Sequence, residues 1–417
     1  MKHLIIKNVG PIKEIDIFLK RFNFFIGSQS SGKSTIAKIL STCEWIEKEI
    51  ATTRNENAIG NGDSFKSLVE NFHKIEGYFD SYAPSYVFFE TDYVVVVYEN
   101  KELKIFLKRD SDYHRQKICY IPSDRNMVTL PELKGFEFGM TNLRSFLFDW
   151  YRAREFYTPQ NKTCLLGLDV KYYYNEKLTT KNDRIQHVNG NTYDISLSNS
   201  SSGLQSLTPL IVMLQYYSGQ YFNEYDFKNS FEQDSRAKQT RSALVREVAM
   251  PLYKPNFKEE EVENLVKRFN EELHKGVPRV MQIFEIYDNA CNRLLIPNRT
   301  TFIIEEPEQN LYPFTQIDLL EAIVKLCTEE KEHGCTITTH SPFILNYLNV
   351  LIKRYYKSVP GKVSLNPEDL SVFTTLDGRL VDLMQTNSET AEKSVNAEDL
   401  VEAMRVMYSE YRQMKES

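Results

Sequence analysis

No apolar run in this sequence is longer than Tyr93–Tyr98, far short of the roughly 20 residues that a helix needs to span a bilayer. No membrane partner is therefore expected. The first residues, Met1-Lys-His-Leu-Ile-Ile-Lys-Asn8, lack the apolar core of a secretory signal. Cysteine is sparse, and Cys43, Cys119, Cys164, Cys291, Cys327 and Cys335 show no C-x-x-C spacing. That argues against a disulfide framework or a zinc site and points to a reducing, cytoplasmic setting. A basic excess is missing too. With a net charge of −6, the whole chain presents no positive field to nucleic acid. One local patch remains, Arg236, Lys238, Arg241 and Arg246 on an expected helix; it either touches nucleic acid or is a solvated face. There is no internal repeat and no heptad run long enough for an extended coiled coil.

At 417 residues the chain fits one large core with elaborations, or two domains. Hydrophobic residues at 41% and charged residues at 26% are the ordinary balance of a packed globular protein. Strands are expected at Leu4–Asn8 and Ile15–Leu19 around a Gly10-Pro11 turn. A doubly buried strand follows at Phe22–Ile26, then a helix over Thr35–Ile50. Residues 51–64 are polar and read as a mobile loop. A short strand and a hairpin span Val87–Lys108, a strand covers Lys117–Ile121, and Leu143–Phe156 is helical. Strands return over 168–197, with a turn at Asn189-Gly190-Asn191. From about 220 to 292 the chain is polar and helical. Thr301–Ile304 and Cys335–Thr339 read as buried strands flanking a helix at Phe314–Cys327. A hairpin turns at Asp377-Gly378, and a last helix spans Ala397–Arg412. One face of that helix carries Leu400, Met404, Met407 and Tyr411, which would either pack on its own head or dock a partner.

Gly27-Ser-Gln-Ser30-Ser31-Gly32-Lys33-Ser34-Thr35 fits the phosphate-loop pattern G-x-x-x-x-G-K-[ST] and lies between a buried strand and an amphipathic helix. The two glycines allow close approach and backbone conformations other residues resist. Successive N–H groups and the helix dipole then cradle a triphosphate. Lys33 reaches the β- and γ-phosphates, and the Ser34 hydroxyl binds Mg²⁺.

The strand Thr301–Ile304 runs into Glu305-Glu306-Pro307-Glu308. Carboxylates at a strand's carboxyl end suit an α/β nucleotide site: one holds Mg²⁺, and the next acts on the attacking water as general base. The next buried strand ends at Thr338-Thr339-His340-Ser341-Pro342. A neutral imidazole there can bond the γ-phosphate or the water.

In combination these segments resemble ABC-type ATPases, within the branch that holds SMC-like proteins, RecF and the overcoming-lysogenization-defect (OLD) ATPases. Ser201-Ser202-Gly203-Leu204-Gln205-Ser206 looks like the L-S-G-G-x-Q signature of that family, with Ser202 at the first glycine. The resemblance implies that Ser201, Ser202, Gly203 and Gln205 cap the γ-phosphate of the opposite subunit in an ATP-bound dimer. It also implies that Glu305 is the Mg²⁺-side carboxylate, and that Glu306 and His340 are catalytic. Asp124 and Arg125, after Ile121-Pro122-Ser123, occupy the Q-loop position, although the family's glutamine is absent. Gln309-Asn310-Leu311-Tyr312-Pro313 stands where relatives read A-H-L-H-P. OLD nucleases append a TOPRIM domain with a D-x-D pair; no such pair follows Ser341, so a nuclease of that kind is not expected.

The expected fold is α/β: an ATPase head whose parallel sheet is joined by an antiparallel β lobe and a helical insertion. Its parts are an amino-terminal ATPase lobe (1–125), an α/β insertion (126–195), the signature segment (196–218), a helical insertion (219–296) and a carboxyl-terminal lobe (297–417). ATP and Mg²⁺ are the expected cofactors. The leading functional expectation is an ATP-driven sensor or scaffold, dimeric, that controls a separately encoded effector in anti-phage defence. The alternatives are a RecF-like DNA-repair ATPase and a nucleotide-gated structural protein with little turnover.

Overall fold

The computed structural model describes residues 2–109, 112–130, 139–178, 182–189, 192–223 and 231–416. β1 (Lys2–Val9) and β2 (Ile12–Leu19) form an antiparallel pair. From Ile15 onward the side chains of β2 alternate, with Ile15, Ile17 and Leu19 inside and Asp16 and Phe18 outside. β3 (Phe22–Gly27) is buried on both faces, and the phosphate loop joins it to α1 (Lys33–Thr53). The stretch 51–64 is a loop only between Arg54 and Asn61. α1 continues to Thr53, where left-handed Arg54 returns its N–H to Ile50 O. Asn61 then caps α2 (Gly62–His73) by accepting from Ser64 N. Capping chemistry therefore shortens the expected loop from both ends.

β4 (Tyr86–Glu90), β5 (Val94–Glu99) and β6 (Glu102–Leu107) complete a five-stranded antiparallel sheet, order β2-β1-β4-β5-β6. β7 (Gln116–Ile121) and α3 (Asn142–Phe156) follow. A small antiparallel sheet then holds β8 (Thr163–Cys164), β9 (Val170–Tyr174), β10 (Asp183–His187) and β11 (Asp194–Ser196). Two residues of its expected turn, Gly190 and Asn191, lie outside the described residues, but β10 and β11 pair with Ile185 opposite Ile195. α4 (Ser202–Gln215) passes through a π turn at Tyr216–Gln220 into α5 (Tyr221–Asn223). The helical region contains α6 (Phe231–Leu244), α7 (Met250–Tyr253), α8 (Val262–His274) and α9 (Pro278–Leu295). Of the basic patch, the Arg236 side chain lies outside the described residues, and Arg241 sits beside Tyr287 and Cys291.

The chain then alternates strand and helix: β12 (Arg299–Glu305), α10 (Pro313–Thr328), β13 (Gly334–Thr339), α11 (Pro342–Tyr356), β14 (Leu370–Leu376) and β15 (Arg379–Asp382). A short hairpin, β16 (Met384–Thr386) and β17 (Lys393–Val395), precedes α12 (Glu398–Glu416). On α12, Met407 and Tyr411 are exposed rather than packed on the head, and the side chains of Leu400 and Met404 lie outside the described residues. No described helix is long and apolar enough to cross a membrane.

The central sheet runs β15-β14-β3-β13-β12-β7. β14, β3, β13, β12 and β7 are parallel, and β15 is antiparallel at one edge. β3 divides the interior by side-chain alternation. Phe25 joins Ile36, Ile39 and Ile46 of α1 under the antiparallel sheet. Phe22, Phe24 and Ile26 face the opposite core, shared by Trp150 of α3, Leu210 of α4, Leu319 of α10 and Leu348 of α11. The observed architecture is the α/β class expected from the sequence. Because five strands are parallel, their carboxyl ends meet at one edge, where α/β folds bind ligands.

Candidate nucleotide site

The phosphate loop leaves β3 with Gly27 at φ 147°, Ser30 at 59° and Gly32 at 103°. A Cβ on Gly27 would stand 2.1 Å from Thr375 Oγ1, so both backbone and contact require glycine there. Left-handed residues alternating with ordinary ones give the concave backbone that suits an anion. No side chain caps the amino end of α1, so its first N–H groups and positive dipole end belong to the same loop. Lys33 is buried and donates to Gly27 O (3.0 Å), Ser28 O (2.6 Å) and Ser31 Oγ (3.3 Å). Burial pulls its pKa down, while Glu306 and Glu308 push it back up. Ser34 is half-buried and Thr35 buried on the first turn of α1.

Thr375 is a site residue that the sequence does not reveal. It lies next to the end of β14, opposite Gly27 in the ladder, and its Oγ1 lies 2.5 Å from Ser31 Oγ. Only strand order, which is non-local, places it there.

Glu305 closes β12 and is 5% exposed. The Tyr120 hydroxyl, on neighbouring β7, donates to its Oε1. Burial raises the Glu305 pKa, opposed by nearby Lys38, by Tyr120 and by the Ser123 N–H. A desolvated carboxylate gains most from a cation, and both it and the Ser34 hydroxyl are hard oxygen donors of the kind Mg²⁺ takes.

Glu306 has φ 44°, a left-handed conformation that costs an L-residue about 1–2 kcal/mol. Two bonds hold it there: its N–H donates to Thr338 O (2.8 Å), and its carbonyl accepts from Arg125 Nη2 (2.7 Å). The turn brings Glu306 Oε1 to 3.6 Å from His340 Nε2. That is too long for a direct hydrogen bond but close enough for electrostatic attraction. His340, just past β13, also donates its backbone N–H to Glu308 Oε1 (2.6 Å). The two residues expected to be catalytic thus stand side by side, beyond the ends of adjacent strands.

Asp124 and Arg125 part company. Asp124 is exposed, whereas Arg125 is fully buried and its guanidinium is spent on main-chain carbonyls. In the signature segment, Ser201 caps α4 by accepting from Leu204 N (3.4 Å). Gln205 donates to Ser198 O (3.1 Å) and Ser200 O (3.0 Å). Gly203 packs on Asn310, whose carbonyl would lie 3.0 Å from an added Cβ. Ser201 and Ser202 are exposed. Among the described residues, no hydrogen bond joins residues 201–205 to the phosphate loop.

No family model matches this chain, and no curated protein does. Several solved structures are similar to it. The SMC head domain from Thermotoga maritima aligns over 91% of this chain and 97% of that one, at 9% identity and a TM-score of 0.36. The recombination mediator RecF of the RecFOR pathway aligns over 91% and 97%, at 8% identity and 0.29. The dimeric bacterial ABC transporter cassette MJ0796 aligns over 90% and 96%, at 11% identity and 0.29. Likenesses this distant leave the chemistry to be read from the site itself.

Proposed function

We propose that this chain is an ABC-type ATPase that closes as a dimer around ATP and, through its cycle, holds and releases a separately encoded effector in anti-phage defence. One observation carries the ATPase reading. Lys33 of a glycine-turned phosphate loop, Glu305 and His340 converge at a single sheet edge, each within electrostatic reach of Glu306. In this reading the loop N–H groups and Lys33 bind the β- and γ-phosphates. Ser34 and Glu305 hold Mg²⁺, which when bound neutralises charge on the transferred phosphoryl group. Glu306 accepts the proton of the attacking water as its oxygen bonds to the γ-phosphorus and the bond from that phosphorus to the β–γ bridging oxygen breaks, with ADP as the leaving group. His340 steadies that carboxylate and the γ-phosphate. Dimer closure is supported by α4, whose Ser201 and Ser202 are exposed to solvent, open to a second copy's nucleotide. The defence role is supported by the likeness of Glu305–Glu308 and Thr339–Pro342 to OLD-like segments.

Glu306→Gln tests the assignment, because it keeps the shape and removes the proton acceptor. ATP turnover is expected to fall by about 10²–10⁴, with ATP still bound and a dimer accumulating in light scattering. Unchanged turnover without a trapped dimer would mean that Glu306 is not the base.

A further inference from the structure

We infer that Arg125 is a positioning residue that ties the first turns of α4 to the Glu306 turn, so that whatever docks on the α4 cap sets the stance of the Glu306 carboxylate. This rests on the ATPase reading above. Arg125 is 0% exposed, and its three nitrogens reach five carbonyls. Nε donates to Ser206 O (3.1 Å); Nη1 donates to Glu305 O (2.8 Å) and Pro122 O (3.3 Å); Nη2 donates to Glu306 O (2.7 Å) and Pro307 O (3.3 Å). Those carbonyls belong to three separate segments: the turn after β7, the acidic turn after β12, and α4. Only a planar fork serves so many directions at once. Each of these five acceptors is a carbonyl rather than a carboxylate, and burial pushes the guanidinium pKa down to about 10 against the pull of the nearby Glu308, Glu306 and Glu305. A charge buried on these terms is costly, so filling space does not explain it.

A second tie grips the same helical residue. Asn310 Nδ2 donates to Ser206 Oγ (3.1 Å), and the Asn310 carbonyl packs on Gly203. Ser206 is thus held at its carbonyl and its hydroxyl by residues bonded to, or following, the acidic turn. Ser202 lies one helical turn away on the same face of α4 and is exposed. At the other end of the link, Glu306 sits in a left-handed conformation that Arg125 and Thr338 hold between them. Slackening one of those bonds lets the backbone relax and turns the carboxylate. A helix turn, a guanidinium and a strained residue thus make a contiguous physical link between the α4 cap and the Glu306 carboxylate.

The test is a double-mutant cycle on the full chain, with steady-state ATP turnover and equilibrium ATP binding measured for Arg125→Lys, Glu306→Gln and the pair. Arg125→Lys is expected to lower kcat by about tenfold with KM changed by less than about threefold. In the Glu306→Gln background it should cost almost nothing more, since it acts through that carboxylate. An equal loss in both backgrounds would make Arg125 a merely structural brace and overturn the inference. Should Arg125→Lys fold poorly, Asn310→Ala cuts the second tie at an exposed residue and carries the same cycle, with a smaller kcat loss expected. Normal turnover in both variants sinks the coupling and leaves the ATPase reading intact. A wild-type chain that neither binds nor hydrolyses ATP sinks both.

Discussion

Gly27 and Glu306 both occupy positive φ, for opposite physical reasons. Gly27 sits at 147°, with Thr375 Oγ1 where a Cβ would be, so the position admits no side chain. Glu306 keeps its side chain and accepts the strain, because Thr338 and Arg125 hold its backbone from both sides. Gly27→Ala is therefore expected to force the loop and β14 apart. ATP affinity should weaken by at least about tenfold, corresponding to roughly 1.4 kcal/mol, with a lower melting temperature as β14 is pushed from β3. Titration calorimetry decides it; unaltered affinity would mean the loop tolerates the shift. Most of the candidate site was legible at this scale, since Gly27–Thr35, Glu305–Glu308 and Thr338–Pro342 are contiguous segments whose residue types suggest nucleotide chemistry. Thr375 and Tyr120 were not, because their partners Ser31 and Glu305 come from distant parts of the chain. Arg125 was legible as a position and not as a role: nothing local shows that its acceptors are carbonyls of three segments.

The element that joins the site to the rest of the head is α1. Its first turn carries Lys33 and Ser34, and farther along it buries Glu44 and Glu47. Glu44 takes Lys2 as partner (2.6 Å), and Glu47 accepts from Thr91 Oγ1 (3.1 Å) in the antiparallel lobe. Burial, with Glu44 adding to it, raises the Glu47 pKa from 4.5 to about 7. The sign follows from proton linkage. A carboxyl whose folded pKa lies above its unfolded value binds the proton more tightly when folded. Its contribution to stability is full below pH 4.5 and is lost as pH rises through about 7. Glu47→Gln keeps a hydrogen-bond partner for Thr91 and removes the titration. It should stabilise the protein at pH 8 by up to about 3 kcal/mol, with far less gain at pH 4.5. Urea unfolding at the two pH values measures this, and an equal gain at both would show that Glu47 does not titrate there. Among the elements, the longer strands and α1 followed from apolar runs and periodicity, whereas the two- and three-residue strands β8, β16 and β17 are too short to show a pattern. α2 and α11 have the same helical spacing, at Phe65, Leu68, Val69 and Phe72 and at Ile344, Leu345, Leu348 and Leu351. Their caps, Asn61 and Ser341, lie within segments that read as a loop and as a strand end. The π turn after α4 has no sequence signature at all.

At the scale of the whole molecule, the parallel sheet gathers the phosphate loop, the carboxylates and His340 at one edge, while α4 presents Ser201 and Ser202 to solvent. On the proposed reading these are two half-sites, and their assembly in trans makes a quantitative prediction. Lys33→Ala removes the phosphate lysine and leaves the α4 cap intact. Ser202→Glu places a carboxylate at the α4 amino end, where the helix dipole favours it, so the fold survives. The same charge repels a phosphate brought to that cap. Each variant alone should be inactive. In an equal mixture half of the dimers are mixed, and each of those has one site built from an intact loop and an intact cap. Turnover should therefore recover to about a quarter of the wild-type value, as two-fold assembly requires. A mixture that stays inactive would mean that each chain completes its own site. An active Ser202→Glu chain would remove α4 from the site altogether. Recovery near a quarter, with light scattering showing the mixed dimer only when ATP is present, places the nucleotide between two copies.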